Sequence, residues 1–410
     1  MSTEVARPKR DVYLAVMWLV TAVLGAFFVL DAVYPRAISS GTMLVQIRQQ
    51  IVYLVLAVAA YLLGSRLSAR WLYGVALALF MLSLIGCVVV LVPGIGREVN
   101  GASRWLSLPG GFTVQPSEYF KLGVVLVMAW LLERLPRRHR RAQQEQKDAA
   151  RILRYTVIGI IVVTAVLIER QPDLGTAAVV MVVLLSMMWL GGVRWTTIAG
   201  SIGLAALVAI VMVQMQPYRL QRILHHNQRW DPVVSQAEGF QPVHAELGIG
   251  MGGVTGQGIG MGITKYLLPA ATTDYVFVTI AEETGLLGSL IVVGILAGIV
   301  GRLFWLSARA PTRFAALAAS GLGCWIGTQS VMNLLMVTGI VPPVGVPLPF
   351  FSMGGSSLTA LAFGLGIVQA AMLTERKEES QDATRDLRRR DGGTRVPGPA
   401  YRVRCGFSRM

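Results

Sequence analysis

The chain has 410 residues, of which 54% are hydrophobic and only 14% are charged, and its mean hydropathy is +0.58. A soluble protein of this length covers its surface with far more polar side chains, so the composition excludes that class and indicates a membrane protein. The formal net charge of +15 is accounted for by basic cytoplasmic loops and anionic lipids, and we therefore expect no binding to nucleic acid.

About ten apolar runs predict an all-α polytopic membrane protein with about ten transmembrane helices. They lie near residues 12–33, 51–64, 72–92, 119–132, 155–168, 175–193, 196–215, 276–306, 314–340 and 356–373. Residues 12–374 therefore form one transmembrane domain, preceded by a short cytoplasmic segment, residues 1–11. Residues 375–410 are basic and lack an apolar period, which predicts a disordered cytoplasmic tail held near lipid headgroups.

Arginine and lysine accumulate in every second loop between these runs, most densely in residues 137–154. Because cytoplasmic loops carry the excess of basic residues, this alternation places both termini in the cytoplasm. The large loop between the seventh and eighth runs, residues 216–273, is then extracytoplasmic. It is much longer than the other loops and rich in glycine, and a loop of this length in an economical bundle is usually functional.

Asp274 follows this large loop, at the start of the eighth predicted helix. An aspartate at the centre of a membrane helix costs roughly 2.5 to 3.5 kcal/mol, so an acid here indicates either a function or tight pairing. The alternative is that Asp274 caps the helix. Counting 100° per residue along the helix from Asp274 predicts that Glu282 lines the same cavity, whereas Glu283 contacts a neighbouring helix.

Further charged residues lie in the extracytoplasmic loops or just beyond them. Arg104, beside Trp105, is either an interfacial anchor or a guanidinium that binds phosphate. Glu118 and Lys121 are three residues apart on one helical face. They either neutralise each other or contact a charged ligand together. The acids thus lie on one side of the membrane, which predicts an extracytoplasmic site.

Two predicted helix starts complete this set. Asp173 follows Gln171 and Pro172, and it either caps the sixth helix or joins a cluster of charges. Gly354, Gly355 and Ser356 begin the last helix. Their backbone N–H groups and the helix dipole would suit an anion such as pyrophosphate, although glycine and serine also serve close helix packing in membranes.

In this order, the polar strings resemble the SEDS family (shape, elongation, division and sporulation), the bacterial RodA/FtsW proteins. The resemblance covers residues 11–374. It rests on NGASRW at 100–105, QPSE at 115–118, QPDLGT at 171–176, GFQ at 239–241, TDYVF at 273–277, EE at 282–283, Gln329 with Asn333, and PLPFFSMGGSS at 347–357.

The resemblance implies a multi-pass glycosyltransferase of the bacterial inner membrane that polymerises lipid II, the undecaprenyl-pyrophosphate-linked disaccharide-pentapeptide. It implies a class B penicillin-binding protein as the crosslinking partner, together with other divisome or elongasome proteins. It also implies that Asp274 is the essential acid and that Arg104, Glu118, Lys121 and Asp173 line the substrate cavity. A slight leaning towards the division branch rests on the Val-Asn-Gly-Ala run at 99–102 and the basic tail.

We interpret the chain as an inverting, processive glycosyltransferase in which Asp274 accepts the proton of the acceptor hydroxyl. A carboxylate beside pyrophosphate also suits Mg²⁺ or Mn²⁺, and the sequence leaves such an ion open. Two alternatives come from other classes: a flippase for lipid II, and a scaffold that only activates the penicillin-binding protein. The placement of Glu118, Asp173 and Asp274 on one side favours a catalyst at the outer face over a route across the membrane.

Overall fold

The computed structural model describes residues 10–99, 102–107, 112–135, 143–171, 173–215, 221 and 224–373. The predicted tail, residues 375–410, lies outside the described residues, as does most of the predicted N-terminal segment, residues 1–11.

A long helix covers each predicted apolar run. These helices are α1 (Val12–Ser39), α2 (Met43–Ser65), α3 (Ala69–Val89), α4 (Pro116–Glu133), α5 (Gln143–Arg170), α6 (Leu174–Leu190), α7 (Trp195–Met215), α10 (Val276–Ala308), α11 (Arg313–Val337) and α12 (Gly355–Met372). Helices α2 and α5 begin well before the predicted starts at residues 51 and 155. Two short helices, α8 (Phe240–Gly252) and α9 (Thr264–Leu267), belong to the large loop. Seven of the long helices, α1, α2, α3, α5, α7, α10 and α12, are long and apolar enough to cross a membrane, so the count of ten crossings stays a prediction.

Helix α4 is buried on nearly every side although it carries Glu118 and Lys121. Pro116 occupies its first position, where the missing N–H costs nothing. Its neighbours are α3, α6, α11 and α12. A Cβ atom added to Gly123 would lie 2.8 Å from the Cα atom of Phe80 on α3. Glycine therefore allows α3 and α4 to approach closely, and α4 forms the centre of the bundle.

Helices α2 and α12 pack even more tightly, again through glycine. A Cβ atom on Gly366 would lie 2.3 Å from the carbonyl oxygen of Tyr61, and one on Gly64 would lie 2.7 Å from that of Phe363. Close backbone approach through small residues replaces the hydrophobic effect as a source of helix association in lipid. This contact holds α12 against α2 along its second half.

A small antiparallel sheet lies between α3 and α4, and the sequence did not predict it. Its strands are β1 (Gly96–Val99), β2 (Ala102–Ser107) and β3 (Thr113–Val114), in the order β1-β2-β3. Arg97 pairs with Trp105 across β1 and β2. The sheet holds Arg104 on an ordered strand rather than on a loop.

Helix α10 is interrupted at Gly285, where φ is 67° and ψ is −163°. The segment 253–258 of the large loop supplies hydrogen-bond partners for the interrupted backbone. The N–H of Leu286 donates to the carbonyl of Gly253 at 2.9 Å, and the N–H of Gln257 donates to the carbonyl of Glu282 at 2.9 Å. Because these hydrogen bonds satisfy the backbone at the interruption of α10, the large loop is an integral part of the bundle.

Candidate active site around Asp274

Asp274 lies in the turn that precedes α10, where its side chain is partly exposed. The residue that caps α10 is Tyr275, and no side chain makes the capping hydrogen bond. The alternative that Asp274 merely caps this helix is therefore not observed. The turn is held by the N–H of Tyr275, which donates to the carbonyl of Ala270 at 3.1 Å. It is also tied to the segment before α12, because the N–H of Met353 donates to the carbonyl of Thr272 at 2.8 Å.

The proline-rich loop 342–349 forms one wall beside Asp274. Asn333, on α11, donates its side-chain amide to the carbonyl of Asp274 at 2.7 Å and to the carbonyl of Val346 at 2.7 Å. Gly345 has a φ of 69°, and a Cβ atom added there would lie 3.5 Å from Oδ2 of Asp274. Glycine adopts this left-handed backbone conformation without strain, and because it has no side chain, it does not cover the Asp274 carboxylate on this side.

Three of the predicted site residues interact electrostatically. The pKa of Asp274 is raised to about 6, first by burial, then by the negative charge of Asp173, and it is lowered in part by the positive charge of Arg104. Burial and a like charge both disfavour the ionised carboxylate, whereas a guanidinium favours it. A perturbed acid with specific charged neighbours is a candidate for a functional group. The structure therefore brings Asp274, Asp173 and Arg104 within electrostatic range of one another. Their role in lining a substrate cavity stays a prediction.

Arg104 and Asp173 are each fixed by a backbone contact. The Nε atom of Arg104 donates to the carbonyl of Gln171 at 2.6 Å, and the side-chain amide of Gln171 donates to the carbonyl of Cys87 at 2.8 Å. Asp173 caps α6, with Oδ1 accepting the N–H of Thr176 at 3.1 Å. The structure confirms Asp173 as the cap of α6, and the same carboxylate acts electrostatically on Asp274. The alternative, a cluster with the charges that precede it in sequence, stays a prediction.

Glu118 and Lys121 form a buried ion pair, in which Nζ of Lys121 lies 2.8 Å from Oε1 of Glu118. Lys121 is only 4% exposed, and its ammonium also donates to Oε1 of Gln329 at 3.0 Å. The ring of Trp325 lies 5.3 Å from the same nitrogen. This geometry matches the structural alternative and corrects the expectation that both side chains line an open cavity, because protein groups already surround the ammonium.

Glu282 and Glu283 both bind the large loop. Oε1 of Glu282 accepts the N–H of Ile263 at 2.8 Å, and Oε2 accepts the N–H of Thr264 at 3.0 Å as well as the Thr264 hydroxyl. Oε1 of Glu283 accepts the ammonium of Lys265 at 2.7 Å. The structure corrects the role predicted for Glu282. The prediction assumed a helix from Asp274 onwards, with a rotation of 100° per residue. Because α10 begins only at Val276, that rotation does not relate the direction of Glu282 to that of Asp274.

Two of the three residues at the start of α12, Gly355 and Ser356, are buried against other parts of the protein. The hydroxyl of Ser356 accepts the N–H of Gln115 at 2.9 Å. A Cβ atom on Gly355 would lie 2.4 Å from the ring of Tyr53. Gly354 is partly exposed and provides the cap, with no side-chain hydrogen bond. Gly355 and Ser356 thus serve close packing, the alternative interpretation, while the binding of an anion by the backbone N–H groups of this helix start stays a prediction.

The donor set around Asp274 was tested against the predicted Mg²⁺ or Mn²⁺. Within the described ranges, no group of three or more His, Cys, Asp or Glu side chains could hold a metal ion. The two carboxylates that interact here, Asp274 and Asp173, share their surroundings with a guanidinium. Two carboxylates do not by themselves form an all-protein metal site, although Mg²⁺ is usually held by one or two carboxylates together with substrate phosphates. The ion therefore stays a prediction, and no step below depends on it.

The amino-acid sequence matches a known protein family. Residues 11–377 match the family described as cell cycle protein, which takes in FtsW, RodA and SpoVE. The chain belongs to the FtsW/RodA/SpoVE family. This confirms the resemblance drawn from the motifs, and it confirms a polytopic, integral membrane protein.

Relatives within the FtsW/RodA/SpoVE family cover nearly the whole chain. It is similar to the probable peptidoglycan glycosyltransferase FtsW of Dichelobacter nodosus, with 34% identity over 374 residues, which are 87% of this chain and 89% of that protein. Rod shape determining protein RodA of Thermus thermophilus matches with a TM-score of 0.64 and 27% identity, covering 92% of this chain and 100% of that chain. A chain from a peptidoglycan synthase complex, in which polymerization and crosslinking are coordinated, matches with a TM-score of 0.69 and 29% identity, covering 88% of this chain and 97% of that one.

Sequence reasoning missed three residues of this FtsW/RodA/SpoVE site, Gln329, Asn333 and Gly345. Gln329 and Asn333 were noted as motif residues, but no role was predicted for either. Their signal is an uncharged polar pair four residues apart in an apolar helix, which places both on one face. Gly345 stands among prolines, where a positive φ can be suspected but its contact with Asp274 cannot.

Proposed function

We propose that this chain is a peptidoglycan glycosyltransferase that polymerises lipid II into glycan strands at the outer face of the bacterial cell membrane. The observation that carries the proposal is Asp274, a partly exposed carboxylate whose pKa is raised to about 6 next to the guanidinium of Arg104. Membership of a family whose relatives are named peptidoglycan glycosyltransferases supports the substrate class.

The chemistry requires one proton acceptor and one stabilised leaving group. Asp274 accepts the proton of the acceptor 4-hydroxyl while that oxygen attacks the anomeric carbon of the donor sugar. The bond from this carbon to the undecaprenyl pyrophosphate oxygen breaks, and the electron pair leaves with the pyrophosphate, so the configuration inverts. A carboxylate with a pKa of about 6 is mostly ionised at neutral pH, yet it is a stronger base than an ordinary aspartate.

Arg104 is the cation assigned to the departing pyrophosphate. A guanidinium matches two phosphate oxygens in a fixed fork, and a preorganised cation is most effective where charge develops in the transition state. Its Nε atom is used by the carbonyl of Gln171, which orients the rest of the group. Glu118, Lys121 and Glu282 support the loops around the site and are not proposed to contact substrate.

The proposed partner is a class B penicillin-binding protein that crosslinks the product. The similar chain in a peptidoglycan synthase complex supports this assignment, since that complex coordinates polymerization with crosslinking. The FtsW name of the similar Dichelobacter nodosus protein supports the leaning towards division. Cytoplasmic termini are proposed from the basic loops alone.

The test uses the purified full-length chain with labelled lipid II, with and without its cognate transpeptidase. Glycan ladders that require the chain are the expected result. A flippase would instead move labelled lipid II across proteoliposomes and produce no ladder. A scaffold would produce a ladder only when the partner itself polymerises, which a partner assayed alone reveals.

A further inference from the structure

One buried side chain joins the two loops that enclose the Asp274 carboxylate. Asn333 lies on α11 with none of its surface exposed. Its Nδ2 atom donates one hydrogen bond to the carbonyl of Asp274 and one to the carbonyl of Val346, each at 2.7 Å. An amide nitrogen carries two hydrogens, so each hydrogen serves a different loop.

A second amide, one helical turn earlier, anchors the same proline-rich loop. Gln329 donates Nε2 to the carbonyl of Pro347 at 2.9 Å. Its Oε1 accepts the ammonium of Lys121 at 3.0 Å and the indole N–H of Trp325 at 2.8 Å. Because both of these donors are buried, Gln329 is locked in place. The loop at 346–347 therefore has a fixed position relative to α11. Asn333 bonds both to this loop and to the turn of Asp274, so the position of the turn relative to the loop is fixed as well.

The consequence for the carboxylate appears at Gly345. This residue precedes Val346 in the chain, and a Cβ atom added to it would lie 3.5 Å from Oδ2 of Asp274. The loop is thus joined to the Asp274 turn at the backbone through Asn333, and Gly345 lies beside the carboxylate. A shift of either loop would change the surroundings of the reacting oxygen and its distances to Arg104 and Asp173.

We propose that Asn333 is a positioning residue for the glycosyl transfer, which holds the Asp274 turn and the 345–347 loop in one register and thereby sets the orientation of the carboxylate. This inference rests on the proposed role of Asp274 as the base. Two backbone carbonyls, those of Asp274 and Val346, require two donated hydrogens at position 333, and the amide of asparagine supplies both. Leucine of similar size donates nothing, and a buried aspartic acid can donate only a single hydrogen.

The experiment compares Asn333→Leu and Asn333→Asp with Ser330→Ala in the full-length chain bound to its transpeptidase. Ser330 is a matched control, because it is buried on the same helix and its hydroxyl bonds only to the carbonyl of Ile326 in that helix. The measurements are thermal stability, partner binding, and initial polymerisation rates at low and saturating lipid II across pH 5 to 9.

We expect Asn333→Leu to lower kcat at least tenfold per folded, partner-bound molecule, with a smaller change in KM. Asn333→Asp should fall between this variant and the wild type, and Ser330→Ala should match the wild type. The acid limb of the pH profile should move to lower pH in Asn333→Leu, since a released turn is better solvated and lies farther from Asp173. If Asn333 served only the stability of the fold, its substitution would lower the amount of active protein but would not shift the acid limb of the pH profile.

Gly345→Ala provides an independent variant if Asn333→Leu fails to fold. Alanine strains a backbone at φ 69° and displaces the same loop while Asn333 stays intact, so the same shift of the acid limb is expected. An unchanged kcat and pH profile in folded Asn333→Leu or in Gly345→Ala would overturn the positioning role. Full activity of Asp274→Asn would instead show that the proposed base is wrong, which keeps the two failures distinguishable.

Discussion

Asp173 and Asp274 come from different loops, yet the negative charge of Asp173 raises the pKa of Asp274. Asp173 begins α6 as its cap, whereas Asp274 precedes α10. The start of α6 also touches the proline-rich loop, since a Cβ atom on Gly175 would lie 2.7 Å from the carbonyl oxygen of Val344. The charge environment of the proposed base is therefore set by three segments that are distant in sequence.

The pH dependence of polymerisation should report this environment. Because the base must be ionised, kcat/KM should fall about tenfold per pH unit below pH 6, the value to which the pKa of Asp274 is raised. Asp173→Asn removes a like charge, lowers that pKa and moves the acid limb to lower pH. Arg104→Gln removes the opposite charge and moves it to higher pH. Shifts of the same sign in the two variants would contradict the arrangement.

The buried pair of Glu118 and Lys121 predicts a stability pattern. Lys121→Met alone leaves Glu118 as an uncompensated buried charge, at a cost of about 3 to 5 kcal/mol. The double variant Glu118→Gln with Lys121→Met should recover most of the lost thermal stability, because no charge is left unpaired.

Polymerisation by that double variant separates the two readings of the pair. We expect it to recover with stability, because the Lys121 ammonium is enclosed by Glu118, Gln329 and Trp325. A well-folded but inactive double variant would show that Lys121 contacts the pyrophosphate after all.

The interrupted helix α10 depends on a second buried cluster. Lys265 lies 2.7 Å from Glu283 and 2.7 Å from Asp31 on α1, so it joins the large loop to two helices. Glu283→Gln should lower the free energy of unfolding by about 3 to 5 kcal/mol, since it breaks a fully buried pair. Glu238→Gln is the matched control, because the Glu238 side chain is 62% exposed and should change stability by less than about 1 kcal/mol. Equal unfolding midpoints for the two variants would refute the structural role of Glu283.

Topology can be tested with single cysteines at exposed positions. Ser107→Cys, at the end of β2, should react with an impermeant thiol reagent outside the cell, whereas Ser68→Cys, just before α3, should not. Both serines are exposed. The wild-type chain is the background control, since Cys87 is buried and Cys324 is partly buried, and the third cysteine, Cys405, lies in the predicted cytoplasmic tail. The reverse pattern would place the Asp274 site on the cytoplasmic side.

The helices could be predicted from the sequence because apolar runs report membrane crossings directly. The sheet of β1 to β3 could not, since its strands are short and carry no clear alternation. Asp274 could be singled out because an acid near a membrane is costly, whereas Asp173 and Arg104 were assigned to its surroundings by the family resemblance. The roles of Glu282 and Ser356 could not be predicted, because each depends on a backbone N–H group from a segment distant in sequence. A sequence motif shows which residue types are present, but only the folded structure shows whether their polar atoms already form hydrogen bonds within the protein.

Polymerisation by Asp274→Asn tests the central claim most directly. The variant and the matched control Asp231→Asn, which alters an exposed acid of the same large loop, are purified with the transpeptidase and given labelled lipid II. Asparagine keeps the shape of the side chain but cannot accept the proton, so the account predicts a loss of roughly 10²- to 10⁴-fold in the rate of glycan formation, with partner binding retained and Asp231→Asn unaffected. Glycan ladders from Asp274→Asn at a rate near that of the wild type would contradict it.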